Sequence, residues 1–101
     1  MDIIHEGSAK IKVEKVDVVT KSMGVFYNPV MQLNRDITIA LLKAYPKNNL
    51  SIADPFAGTG IRAIRMLKEL PKGKIKTIAA NDYDPKAFQA IKNNLRLNKI
   101  R

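Results

Sequence analysis

The residues best placed to do chemistry lie in Asp54-Pro-Phe-Ala-Gly-Thr-Gly60, a glycine loop headed by a carboxylate. Glycines at 58 and 60 let the backbone turn tightly and approach a ligand with no Cβ in the way. A helix after such a loop offers unpaired N–H groups and a positive dipole end, which attract a carboxylate or phosphate. Asp82 follows 22 residues beyond Gly60. A carboxylate there can accept both hydroxyls of a ribose. Two nucleoside cofactor classes suit this skeleton. Gly58-Thr59-Gly60-Ile61-Arg62-Ala63 fits G-x-G-x-x-A, the form that binds NAD or FAD. Against a dinucleotide stands the Asp54-Pro55-Phe56-Ala57 insertion, since in dinucleotide sites the strand runs almost directly into the first glycine. A carboxylate shortly before the glycines is instead the habit of S-adenosylmethionine (AdoMet) sites, where it attracts the ammonium at the amino-acid end. AdoMet is the favoured reading. A P-loop is excluded, because no Gly-Lys-Ser/Thr follows.

The elements that must position these residues are legible in the hydrophobic rhythm. Leu50 to Ala53 is a short apolar run that enters the loop, and Ile61, Ile64, Leu67 and Leu70 mark a helix that leaves it. Pro71-Lys72-Gly73 breaks that helix, and Ile75 to Ala80 predicts a second strand. Asp84 caps and Pro85 starts a further helix with Ala87, Phe88, Ile91 and Leu95 on one face, while Asn94 and Asn98 read as termination signals. Strand, loop, helix, strand, turn, helix over 50–101 is a βαβα segment, which requires a parallel sheet with helical crossovers. Upstream, Asn28-Pro29 predicts the start of a helix over 28–45. Val30, Leu33, Ile37, Leu41 and Ala44 share one of its faces, read as core. The alternation from Ala9 to Val19 predicts one or two short strands, and residues 1–27 form a strand-and-loop extension.

Composition narrows the chemistry further. The 101 residues suit a single domain, and 46% hydrophobic with 27% charged residues is globular. The absence of cysteine removes disulfides, zinc knuckles, iron–sulfur clusters and thiol nucleophiles. A single histidine, His5, argues against His-based metal sites and Ser/His catalysis. No apolar run approaches the roughly 18–20 residues of a membrane span. The opening Met1-Asp2-Ile3-Ile4-His5-Glu6 lacks a signal-peptide profile, so a cytoplasmic protein without membrane contact is expected. Lys and Arg total 18 against 9 acids, a formal charge of +9, which suits either a polyanionic partner or a Lys-rich solvated surface.

Taken together, Val25-Phe26-Tyr27-Asn28-Pro29, Asn34-Arg35-Asp36, Thr59-Gly60-Ile61-Arg62-Ala63-Ile64-Arg65 and Ala80-Asn81-Asp82 closely resemble the N-terminal portion of the tRNA guanosine-26 N2-dimethyltransferase family. Glu6-Gly7-Ser8-Ala9-Lys10 resembles that family's opening strand. The resemblance covers essentially the whole chain. It implies the α/β fold of part of a Rossmann-like class I methyltransferase sheet, AdoMet as cofactor and tRNA as partner. One departure is the loop itself. Relatives typically carry Asp-Ala-Leu-Ser-Ala-Thr-Gly, whereas Asp-Pro-Phe-Ala-Gly-Thr-Gly resembles the loop of amino-group DNA methyltransferases.

The resemblance and the chemistry imply the following roles. Arg35 pairs with the AdoMet carboxylate, and Arg62 is a second cofactor residue beside Asp54, Gly58 and Gly60. Asp82 accepts the ribose. Phe26 is the platform for the target base, against an alternative as an anchor for the helix start. Phe56 and Tyr83 either contact adenine or fill the core, and Arg65 is a solvated or RNA-facing charge. The resemblance puts the family's catalytic group, a second acidic motif that faces the target amino group, beyond Arg101, together with a C-terminal domain. No catalytic residue is therefore assigned within residues 1–101. Little or no methyl transfer is expected from this chain alone, and an uncovered sheet edge invites self-association. The competing readings are a non-enzymatic basic nucleic-acid-binding module on a methyltransferase scaffold and an NAD- or FAD-binding fragment.

Overall fold

In the computed structural model the described residues are 2–13 and 27–100. Phe26, the expected strand continuation over 14–19 and all but Tyr27 of the connecting loop expected over 20–27 lie outside them. So does Arg101.

The chain opens on a hairpin in which β1 (Asp2–Glu6) pairs antiparallel with β2 (Ala9–Val13). Ile11 and Val13 alternate with Lys10 and Lys12 as the sequence predicts, and the two apolar side chains point inward. The preceding strand is new: Glu6-Gly7-Ser8-Ala9 is the turn between two strands rather than one opening strand. Asn28 caps the next element by accepting from the Val30 N–H at 3.0 Å, with Pro29 at the first position. A short 3-10 turn (Pro29–Met31) leads into α1 (Gln32–Ala44).

From there the expected βαβα order holds: β3 (Leu50–Asp54), α2 (Ile61–Glu69), β4 (Ile75–Ala80) and α3 (Pro85–Leu97). Asp84 caps α3 by accepting from the Lys86 N–H at 2.9 Å. β3 and β4 are parallel, with Asp54 opposite Ala80, so α2 is the crossover that returns the chain to the same end of the sheet. Both strands therefore deliver their C-terminal loops side by side.

Two apolar clusters hold these elements. Ala9, Ile11 and Val13 of the hairpin pack with Ile61 and Ile64 of α2, while Ile39 of α1 packs with Met66, Leu70 and the sheet residues Ile52, Ile75 and Ile78. α1 corrects the core reading of its stripe. Val30, Leu33, Ile37 and Leu41 are 82%, 69%, 57% and 67% exposed, and the helix instead buries Arg35 and Ile39. Asn94 and Asn98 are also more than stop signals. Buried side by side, they bind the edge of β2: Asn94 Oδ1 accepts from the Lys12 N–H at 2.9 Å and Asn98 Oδ1 from the Lys10 N–H at 3.0 Å. They satisfy strand groups that no third strand reaches among the described residues.

Candidate functional site

The loops after β3 and β4 are tied together at the C-terminal end of the sheet. Asn81 N–H donates to the Asp54 carbonyl and Ala57 N–H donates to the Asn81 carbonyl, each at 2.9 Å. Asp82 completes the tie, with Oδ2 accepting from the Gly58 N–H at 2.9 Å and Oδ1 from the Asp84 N–H at 3.0 Å. Gly58 and Gly60 have φ of 56° and 84°, a left-handed backbone that favours glycine. Thr59 is buried. Its Oγ1 accepts from the Ile61 N–H at 3.3 Å, and its carbonyl accepts from Asn94 Nδ2 at 2.8 Å, so α3 also fixes the loop.

Beside this loop lies a half-open cavity of about 220 Å³. Asp54, Phe56, Gly58, Arg62, Tyr27 and Arg35 are among the residues that line it. Among the described residues Asp54 Oδ2 is buried without a hydrogen-bond partner. Burial pushes its carboxyl above the usual 3.8, the Arg62 charge opposes that, and Asp82 adds to it. Such an oxygen suits a ligand ammonium or hydroxyl.

Of the expected site residues, Asp54, Gly58, Arg62 and Arg35 meet at the cavity, Gly60 turns the loop into α2, and Asp82 stands behind Gly58. Arg35 is not the free guanidinium the sequence suggests. Its Nε and Nη2 donate to Glu6 Oε2 and Oε1 at 2.8 and 2.7 Å, and Nη2 also donates to the Asn28 carbonyl at 2.9 Å. Its guanidinium also lies 5.0 Å from the centre of the Tyr27 ring. Arg62 is anchored to α1 by Thr38 Oγ1 at 2.6 Å and Asn34 Oδ1 at 2.9 Å. Arg65 is corrected outright. It is buried, not solvated, and shared among Glu6, Asp36 and Glu69, whose hydrogen bonds hold it firmly charged. Phe56 and Tyr83 are 85% and 97% exposed, so neither fills the core. Phe26 lies outside the described residues.

Sequence reasoning missed Glu6 and Asn94. Glu6 reads as an ordinary strand-end acid, and nothing near it shows that two arginines 29 and 59 residues away converge on it. Desolvation alone would raise its carboxyl, but hydrogen bonds from Arg35 and Tyr27 outweigh that and hold it below the usual 4.5. Among the described residues no three His, Cys, Asp or Glu side chains gather as metal ligands, and no helix is long and apolar enough to cross a membrane.

The model of the N2,N2-dimethylguanosine tRNA methyltransferase family matches residues 7–101. The chain belongs to that family. It is 42% identical to the tRNA (guanine(26)-N(2))-dimethyltransferases of Methanosphaera stadtmanae and of Methanocaldococcus jannaschii, over 97% of its own length. The matches take in 25% and 28% of those proteins. The solved complex of Trm1 from Pyrococcus horikoshii with S-adenosyl-L-methionine superimposes with a TM-score of 0.81 at 37% identity, covering 97% of this chain and 24% of that one. The chain thus spans about a quarter of the length of these N2,N2-dimethylguanosine tRNA methyltransferase relatives and has the α/β fold of their N-terminal, class I methyltransferase part.

Proposed function

We propose that this chain is the cofactor-binding portion of a cytoplasmic tRNA (guanine-N2)-dimethyltransferase and that its cavity takes the amino-acid end of AdoMet. The observation that carries the reading is a buried Asp54 Oδ2 with no partner among the described residues, in a residue that lines one small cavity together with Arg35 and Arg62. An ammonium and a carboxylate on one carbon match an acid and two arginines. Asp54 attracts the ammonium. The Nη1 of Arg35, which has no partner among the described residues, offers N–H groups to the carboxylate. Beyond the glycine loop, Asp82 can accept ribose hydroxyls on its remaining lone pairs while it keeps Gly58 in place. Bound AdoMet would supply a methyl group on a sulfonium, open to in-line displacement by the exocyclic amine of guanine in tRNA.

Phe26 as a base platform, a catalytic acid supplied from beyond Arg101 and pairing between copies through the uncovered sheet edge belong to the same proposal. The dinucleotide reading of the glycine pattern has no support from the family match. The non-enzymatic module is separated from the enzyme by ligand: it binds RNA and not AdoMet. Calorimetry of AdoMet against the wild-type protein and Asp82→Ala tests the reading. Removing a charged acceptor is expected to weaken AdoMet binding by about 10–100-fold. An unchanged dissociation constant dismisses the site. Radiolabel transfer to tRNA is expected from the protein at full natural length, and little or none from these 101 residues.

A further inference from the structure

Glu6 has no contact with the cavity, yet it holds the residue that does. Its side chain is fully buried, with both oxygens engaged: Oε1 accepts from Tyr27 Oη and Arg35 Nη2, each at 2.7 Å, and Oε2 from Arg35 Nε at 2.8 Å and Arg65 Nη1 at 3.1 Å. The pairing with Arg35 is the two-point, planar kind that fixes a guanidinium in orientation as well as place. With Nε and Nη2 committed, Nη1 is the one nitrogen left to meet a ligand among the described residues, and Arg35 lines the cavity. The ring of Tyr27, which donates to the same carboxylate, lies against the guanidinium and closes off another direction.

We propose that Glu6 is the positioning residue of the cofactor site: through its two-point pairing it turns Arg35 so that Nη1 faces the carboxylate of the cofactor's amino-acid end. This rests on the AdoMet reading above. It assigns to the N-terminal hairpin a share in ligand selection, although no hairpin residue lines the cavity.

The test compares two ligands in the protein at its full natural length. AdoMet carries the amino-acid carboxylate, whereas 5′-methylthioadenosine has the nucleoside and the sulfur without it. Glu6→Gln keeps the shape and removes the charge, so the AdoMet dissociation constant is expected to rise at least about tenfold, with that for methylthioadenosine changed less than about twofold. Tyr27→Phe, a milder variant that stays folded if Glu6→Gln does not, is expected to shift the same ratio the same way by a smaller factor. Glu69→Gln loosens Arg65 in the same cluster without touching Arg35, and is expected to leave the ratio at its wild-type value. Equal losses for both ligands in Glu6→Gln and Tyr27→Phe, or a ratio that Glu69→Gln moves as far, overturn the positioning role alone. Wild-type protein that binds methylthioadenosine and AdoMet equally, or neither, overturns the cofactor reading and this inference with it.

Discussion

At the scale of single residues, the informative feature is a carboxylate left unsatisfied. An acid whose folded value is raised by burial costs stability when ionised. The cost is absent below its ordinary value of 3.8 and complete once pH has risen through the raised folded value. Asp54→Asn is therefore expected to raise the neutral-pH stability of the ligand-free protein, because the amide removes the buried charge. The gain should vanish at low pH. The same substitution is expected to weaken AdoMet binding, because the ammonium loses its counter-charge. Thermal melts across pH with and without ligand read both effects, and a variant that is destabilised without ligand would contradict the reading. Asp82 and Asp54 are both legible in the sequence, since each closes an apolar run before a turn. Which of them is satisfied is not legible there: it depends on the Gly58 N–H donating to Asp82 and on no described residue donating to Asp54 Oδ2.

At the scale of elements, polar side chains rather than strands fasten the hairpin. Glu6 ties it to α1 and α2, Ser8 N–H donates to Glu69 Oε2 at 3.2 Å, and Asn94 and Asn98 tie it to α3. Asn94→Ala would strand the Lys12 N–H and the Thr59 carbonyl, at a cost of about 1–3 kcal/mol. Asn93→Ala, one position along on the exposed face, should stay within about 0.5 kcal/mol of wild type. Chemical denaturation compares the pair. Arg65 hydrogen bonds outweigh desolvation to lower the Glu69 carboxyl, as those of Arg35 and Tyr27 lower Glu6, so both acids contribute stability that is present above 4.5. That stability is lost as pH falls through their folded values. Protection of the β1 and β2 amides from exchange, relative to the intrinsic rate at each pH, is expected to fall on acidification before that of β3 and β4 does. The βαβα boundaries are legible because Gly, Pro and Asp punctuate them: Asp84-Pro85 starts α3 and Pro71 follows α2. The α1 stripe misleads because periodicity reveals that a face is apolar but not what covers it. The Glu6 cluster is hidden because its members come from four distant points in the chain.

At the scale of the molecule, the described residues leave a two-stranded parallel sheet with open edges and an apolar helix face of Val30, Leu33, Ile37 and Leu41. Isolated two-stranded pairs are marginal in water, and open edges recruit partners. A +9 charge opposes association between copies at low ionic strength, and salt screens it. Sedimentation of the 101-residue chain is therefore expected to show self-association that strengthens from low to moderate salt. A monomer at every salt and protein concentration would rule out the edge pairing.

The bonds from Asn98 and Asn94 to β2 have a temporal consequence. The hairpin is made almost at once during synthesis, but the side chains that saturate its edge come 88 and 82 residues later. At translation rates of about 5–20 residues per second, the first strands wait roughly 4–18 s for their final partners. Through that interval the growing chain carries an unsealed ribbon, so ribosomal pace and early helpers have their best opportunity to act before α3 emerges.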